Sequence, residues 1–289
     1  MDGELIRAGD TRLHVVRRGD GPLPLIVLHG GPGLDHTEFG HWLDTLGDAC
    51  TLLLVDQRSQ GRSDPAPPET WTIGHLAADV GALAEGLGLE RYAVLGHSFG
   101  AFVALRHAVE APRGPVATVV SAGVPAACYL EAVDEALARF EPAELRGQVI
   151  DSWRREGLAR SPIDVDRIMV DQLPFHFADP HDPRIGDLLA AMREGRYTPE
   201  VLAASADAPA GELDLEDRLG EVAHPMLVLA GRHDRVCTLT AAEAIAAGVP
   251  GAELRVLEHS AHMGFVEEPD AYRDAVRGFL ARAAAPTAA

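Results

Sequence analysis

Gly96, Ser98 and Gly100 form a G-x-S-x-G pattern within LGHSFGAFVAL. A near-continuous apolar run, YAVLGH (92–97), precedes the pattern, and a helical periodicity, FGAFVALRHAVE (99–110), follows it. A strand that turns at once into a helix holds its corner residue in a strained backbone conformation. Small neighbours on either side let the chain crowd without clashing. The corner serine is thereby lifted above the sheet edge, over a helix N-terminus that favours developing negative charge. The pattern is common by chance, but the strand before it and the helix after it make it specific and mark Ser98 as a nucleophile.

Serine attacks only when a base takes its proton, and the base needs an acid to orient it. The chain has thirteen histidines, so position has to choose among them. LAGRHDRV places Asp234 just past an apolar strand at 225–231, and LEHSAHMGFVEEP places His262 in the loop after a strand at 252–258. Both emerge at the carboxyl edge of the sheet, as Ser98 does, where sites in open α/β sheets lie. His233 and His259 compete for the role of base. His259 adjoins its strand, whereas H-x-x-x-x-E-x-P from His262 fits a loop entering the last helix. For Asp234 the competing role is a helix cap.

LIVLHGGPGLDH (25–36) is the next glycine-rich loop. The chain contains no Lys, which excludes a Walker-type phosphate loop as well as Schiff-base and pyridoxal chemistry. HGGPG is not G-x-G-x-x-G, and His29 has no partners at metal-ligand spacing. His36 and His41 read as polar surface positions. An acyl-transfer intermediate needs backbone N–H donors, one from a loop of this kind and one from the residue after the nucleophile. Those donors are Gly31 and Phe99. In DQRSQGRSDP (56–65), Asp56, Arg58 and Asp64 read as braces for the surrounding loops. Nothing near Cys237 lowers a thiol pKa. Trp153, Phe175, His176 and Phe177 either line a pocket or form a local core.

These residues must be held by a particular order of elements. Strand-like runs at 11–18, 25–29, 51–56, 92–97 and 117–123 alternate with helical patterns at 36–47, 72–87 and 99–110. The near-continuous apolar runs suit strands buried on both faces of a parallel sheet with helices on each side. GDGPLP reads as hairpin-like. From 126 to 215 the rhythm gives way to a helical, proline-containing stretch with 18 acidic and 9 basic residues. It resumes with a helix at 239–247 and a last helix at 268–283, and AAAPTAA (283–289) reads as a frayed tail. The division expected is an α/β core over 1–125 and 216–289 with a helical cap over 126–215.

A net charge of -19 argues against nucleic acid and against an anionic membrane surface. Three scattered cysteines give neither a disulfide framework nor a zinc site. No apolar run approaches the ~18 residues of a membrane span, and MDGELIRAGD does not read as a secretory leader. The compartment expected is the cytoplasm.

Taken together, HGGPG, DQRSQGRSD, GHSFG, GRHD and SAHM…EEP resemble the α/β-hydrolase superfamily, the first two its proline iminopeptidase branch and relatives. The resemblance covers about 1–125 and 216–283. It implies an eight-stranded, mostly parallel sheet under a helical cap, a Ser98–His262–Asp234 triad, and Gly31 and Phe99 as oxyanion donors. It also implies that acidic cap residues bind a substrate amino group. Glu131, Glu135, Glu141 and Glu144 are eligible, and a solvated helix face explains each equally. That branch usually has Gly before and Trp after the nucleophile, where this chain has His97 and Phe99, and Ser59 stands where it has Gly. The GHS form is more usual in esterases and lactonases.

The expectation is therefore a serine hydrolase acting on a small molecule or short peptide through an acyl-enzyme, with no cofactor and no metal. Release of N-terminal proline or another amino acid is one substrate class, and hydrolysis of a small or specialised-metabolite ester or lactone is the other. A ligand-sensing receptor with slow turnover is the reading from another class. Oligomeric state is left open.

Overall fold

A computed structural model describes residues 3–206 and 213–284. Eight strands form one sheet in the order β1-β2-β4-β3-β5-β6-β7-β8. They are β1 (Glu4–Ala8), β2 (Thr11–Arg18), β3 (Leu23–Leu28), β4 (Cys50–Val55), β5 (Ala93–His97), β6 (Ala117–Ser121), β7 (Met226–Gly231) and β8 (Glu253–Leu257). The β1–β2 and β2–β4 pairs are antiparallel, and every pair from β4 to β8 is parallel. This is the mostly parallel, eight-stranded α/β arrangement expected.

The two-residue period of the strands divides their side chains between two buried layers. Leu25, Val27, Leu52, Leu54 and Leu95 share one layer with Val276, Phe279 and Leu280 of helix α10 (Pro269–Ala284). Ile26, Leu28, Leu53, Val55 and Val94 share the other with Leu76 and Val80 of α1 (Ile73–Gly86) and Val103 of α2 (Phe99–Glu110). Farther along that face, Val120 and Val228 meet Ile245 of α8 (Leu239–Gly248). Burial on both faces explains why β4 to β7 read as unbroken apolar runs.

Two local expectations need correction, and one strand was not expected. The 36–47 stretch is not an α-helix. It forms 3-10 turns at His36–Phe39 and Asp44–Leu46, separated by Gly40 at φ 47°. GDGPLP is not a hairpin, because β4 lies between β2 and β3. Its glycines instead pass close to the chain entering β4: a Cβ on Gly21 would stand 2.2 Å from the Cys50 nitrogen. Strand β1 gave no sequence signal because, of its residues, only Ala8 is buried. Of the tail expected over 283–289, residues beyond 284 lie outside those described.

Between β6 and β7 run α3 (Ala132–Ala138), α4 (Ala143–Arg155), α5 (Pro162–His176), α6 (Arg184–Met192) and α7 (Pro199–Ser205). Their apolar faces join the layers of the sheet. Leu173, Phe177 and Leu188 pack with Phe39 and Phe265, while Phe140, Val149 and Phe175 pack with Val236. No described helix is long and apolar enough to cross a membrane.

Candidate active site

Strand β5 ends at His97 and α2 begins at Phe99, so Ser98 is the corner between them, at φ 53° and ψ −118°. A non-glycine residue at positive φ is strained, and here the neighbours hold it there. A Cβ on Gly96 would stand 2.0 Å from the Gly100 carbonyl oxygen, and one on Gly100 would stand 2.3 Å from that of Leu28. Only glycine at both positions lets the turn close. The Ser98 N–H donates to the Ser121 carbonyl at 2.9 Å, which pins the corner to β6.

Asp234 follows β7 and His262 follows β8, and the two meet: His262 Nδ1 donates to Asp234 Oδ2 at 2.8 Å. The other carboxylate oxygen accepts the backbone N–H groups of Val236 (2.8 Å) and Cys237 (3.0 Å). Asp234 is thereby fixed from behind while its free oxygen orients the imidazole. Burial pulls the His262 pKa down, but Asp234, with Glu38 and Glu267 farther off, outweighs it, and the result is raised above the ordinary histidine value. The competitors His233 and His259 are exposed.

Ser98, Phe99, Gly31 and His262 all face one cavity of about 760 Å³. In the HGGPG loop, Gly30 N–H donates to Glu38 Oε2 (2.6 Å), Gly33 N–H donates to Gln60 Oε1 (2.7 Å), and Pro32 has no N–H. Gly31 is left as the loop N–H without a partner among the described residues. Phe99, first residue of its helix, likewise has no partner within it. One cavity is thus lined by two N–H groups that can receive an oxyanion, a strained serine that can attack an acyl carbon and an oriented histidine that can move a proton.

His29 and His36 serve the scaffold. His29 is fully buried, its Nδ1 donating to the Gly30 carbonyl (2.7 Å) and its Nε2 accepting the Gln57 N–H (3.2 Å). His36 is not at the surface as expected. It is 6% exposed and contacts Asp56 Oδ1 at 2.5 Å, because Asp56 is completely enclosed and needs N–H donors. Burial opposes the charge of Asp56, but His14 and His36 outweigh it and hold the carboxyl well below its usual range. Arg58 grips Asp79 with two bonds (2.8 and 2.6 Å) and Asp10 with a third (2.7 Å), and Asp64 pairs with Arg12.

Two sets of potential metal donors converge, His14–His36–Asp56 and Asp234–Cys237–His262. His14 and His36 both lie against Asp56 (3.0 and 2.5 Å) and His262 against Asp234 (2.8 Å), and burial, then Asp234, keeps the Cys237 thiol protonated. The four aromatic positions left open divide evenly. Trp153 and His176 line the cavity, whereas Phe175 and Phe177 are fully buried.

Several residues at the site, or their roles there, escaped the sequence reading. His176 carries its carbonyl to the His262 N–H (2.9 Å), and its ring stands 5.0 Å from that of His262. Burial and then His262 lower the His176 pKa to about 3, so it stays neutral. Glu267 accepts from Ala178 (2.7 Å) and Ala261 (2.9 Å), joining the end of α5 to the His262 loop. Glu268 holds that loop through His259 N–H and Ser260 Oγ. Of the four candidate amine-binding glutamates only Glu131 reaches the cavity, which is lined also by Glu38, Asp134 and Glu156. The EEP motif was a visible trace of Glu267 and Glu268; Glu156 left none.

A family model described as alpha/beta hydrolase fold matches residues 24–269. The chain is 29% identical over 296 residues to a proline iminopeptidase of Levilactobacillus brevis, covering 95% of this chain and 94% of that one. The crystal structure of a proline iminopeptidase from Mycobacterium smegmatis superposes with a TM-score of 0.76 at 26% identity, covering 98% of each chain. A thermophilic esterase from Thermogutta terrifontis shares the fold with a TM-score of 0.76 at 21% identity, covering 99% and 100%.

Proposed function

The chain belongs to the α/β-hydrolase fold family, and we propose that it is a serine hydrolase that cleaves a small amide or ester through an acyl-enzyme on Ser98. The observation that carries this reading is that the strained Ser98 and the Asp234-bound His262 face one cavity with Gly31 and Phe99. His262 takes the Ser98 proton as Oγ attacks the acyl carbon. The oxyanion rests on the N–H groups of Gly31 and Phe99, and Asp234 stabilises the imidazolium. His262 then gives the proton to the leaving group, and water, activated in the same way, frees the acyl group. The 126–215 segment acts as a cap over this site.

For the substrate, we propose an acyl compound with a free amino group, as in N-terminal release from a peptide or amide. Support comes from the charge of the cavity. Glu38, Glu131, Asp134 and Glu156 line it, and Arg58, its cation, is already held by Asp79 and Asp10. Glu156 accepts from Gln172 Nε2 at 2.6 Å, and burial raises its pKa to about 6, so it is charged at neutral pH and aimed by a neighbour. The similarity to proline iminopeptidases agrees with this.

The test pairs a proline arylamide with its N-acetylated form. The free amine should be cleaved and the acetylated compound should not. Glu156→Gln should raise KM for the free amine by about 10- to 100-fold, the worth of one charge-assisted hydrogen bond, and leave an aryl ester unaffected. An equal change for both substrates would remove Glu156 from amine recognition.

The second reading is an esterase or lactonase, favoured by His97 before the nucleophile and by apolar cavity walls that include Trp71, Phe102 and Leu130. Strong ester cleavage with indifference to acetylation would select it. Negligible multiple turnover with tight ligand binding would select the receptor reading.

A further inference from the structure

One carboxyl in the same cavity as Ser98 and His262 takes no part in the acyl transfer. Glu38 lies on the turn His36–Phe39 and is 3% exposed. Its Oε2 accepts the Gly30 N–H at 2.6 Å, and a Cβ on Gly30 would stand only 2.7 Å from its Oε1. The carboxyl therefore lies directly against the backbone of the loop that carries Gly31. It also faces the cavity together with Gly31, Ser98 and His262.

Its surroundings are unusual for an acid. Among the described residues no Arg pairs with Glu38, and the chain has no Lys. Burial pushes its pKa up to about 7, against the pull of the Gly30 N–H and of His262, while Asp35 on the same turn adds to the rise. Tyr272 of α10, its pKa raised first by burial, also feels the Glu38 charge. A glutamine would accept the Gly30 N–H equally well without the cost of a buried carboxyl. What the acid adds is a negative charge within reach of His262.

We propose that Glu38 is a positioning residue for the reaction at Ser98: its carboxylate fixes the Gly30–Gly31 peptide for oxyanion binding and gives the His262 imidazolium a negative neighbour in addition to Asp234 and Glu267. The proposal rests on the assignment of Ser98 as nucleophile and His262 as base. The proton transferred in the cycle does not pass through Glu38. The proton passes from Ser98 Oγ to His262 and on to the leaving group, while the new C–O bond forms and the scissile bond breaks. An ionised Glu38 attracts the imidazolium but repels the oxyanion, so its net effect on the rate is a balance of two opposing effects. Its effect on the basicity of His262 has one sign only.

The sign follows from the groups around the ring. Asp234 and Glu267, from the β7–α8 loop and from α9 (Gly264–Glu267), raise the His262 pKa as Glu38 does. His97 of β5 and His176 of α5 stand against the ring and are lowered by burial, hence neutral. Removing the Glu38 charge makes imidazolium less favourable. His262 then stays neutral, and able to act as a base, down to a lower pH.

The test is the pH dependence of kcat/KM on para-nitrophenyl acetate for the wild type, Glu38→Gln and Glu38→Asp. Fluorophosphonate labelling of the wild type runs beside it. Glu38→Gln keeps the acceptor and loses the charge, so its acid limb should move about half a pH unit or more to lower pH. Glu38→Asp keeps a charge but is one carbon too short for Gly30. It should retain the wild-type acid limb while kcat falls about tenfold or more, with KM little changed. An acid limb of Glu38→Gln that coincides with the wild type overturns the proposal. So does a Glu38→Asp enzyme with undiminished kcat, should Glu38→Gln fail to fold. A wild type that fluorophosphonate never labels at Ser98 overturns the assignment of the nucleophile itself, a different outcome from either.

Discussion

Ser98→Ala is expected to lower turnover by about 10⁴–10⁶ on any substrate the wild type processes, with KM changed little. The turn is held by Gly96, Gly100 and the Ser98 backbone N–H on Ser121 rather than by the small hydroxyl. An alanine at the corner keeps that backbone bond. It leaves the cavity, the two N–H donors and the His262–Asp234 pair in place, so the loss isolates the chemistry of Oγ. The measurement is kcat for para-nitrophenyl acetate and for a proline arylamide, with thermal melts to show that the fold is retained. Turnover within about tenfold of the wild type would remove Ser98 from the mechanism.

Asp234→Asn is expected to cost about 10⁴ in kcat, the scale seen when the acid of a Ser–His–Asp triad becomes an amide. Here the structure says why. Asp234 Oδ1 is committed to the N–H groups of Val236 and Cys237. An asparagine must keep its carbonyl oxygen there, which turns its NH₂ toward His262 Nδ1. The imidazole then has to present a lone pair at Nδ1 and carry its proton on Nε2, where it cannot accept one from Ser98. Stability should change little, because both backbone donors keep their acceptor. The test is kcat at pH 8 beside a thermal melt; activity within tenfold of the wild type would show that Asp234 does not set the tautomer.

Much of this site was legible in the sequence because its parts stand at strand ends. Runs such as YAVLGH and PMLVLAG are buried on both faces, so they announce themselves, and whatever follows them falls on the carboxyl edge. That reasoning reached Ser98, Asp234 and His262 and brought Gly31 and Phe99 to the same cavity. It failed where orientation depends on packing between distant segments. Glu156 and Glu38 sit among many similar polar residues, and nothing local says which of them turns inward; for His176 the sequence left pocket and local core both open. His36 read as a surface residue because its partner, Asp56, is twenty positions away and its burial could not be seen. The 36–47 stretch had helical spacing, but the positive φ of Gly40 broke it. β1 was invisible because an edge strand with one buried side chain carries no pattern.

The charge of the cavity adds something that strand positions could not supply. Three of the four acids lining it belong to the segment between β6 and β7, and the fourth, Glu38, belongs to the turn after the HGGPG loop. A substrate in the cavity is thus met by acidic groups from two separate segments of the chain. This favours a cationic amine near the scissile bond and disfavours an anionic acid there.

The central claim is that an acyl group passes through Ser98. It is tested most directly by quenching the wild-type enzyme in acid during hydrolysis of para-nitrophenyl acetate and finding, by peptide mass spectrometry, where the acetyl group sits. One acetyl group is expected on the peptide containing Ser98, absent from the Ser98→Ala protein. An acetyl group on another residue that forms and decays at the rate of turnover, with Ser98 unmodified, would contradict it.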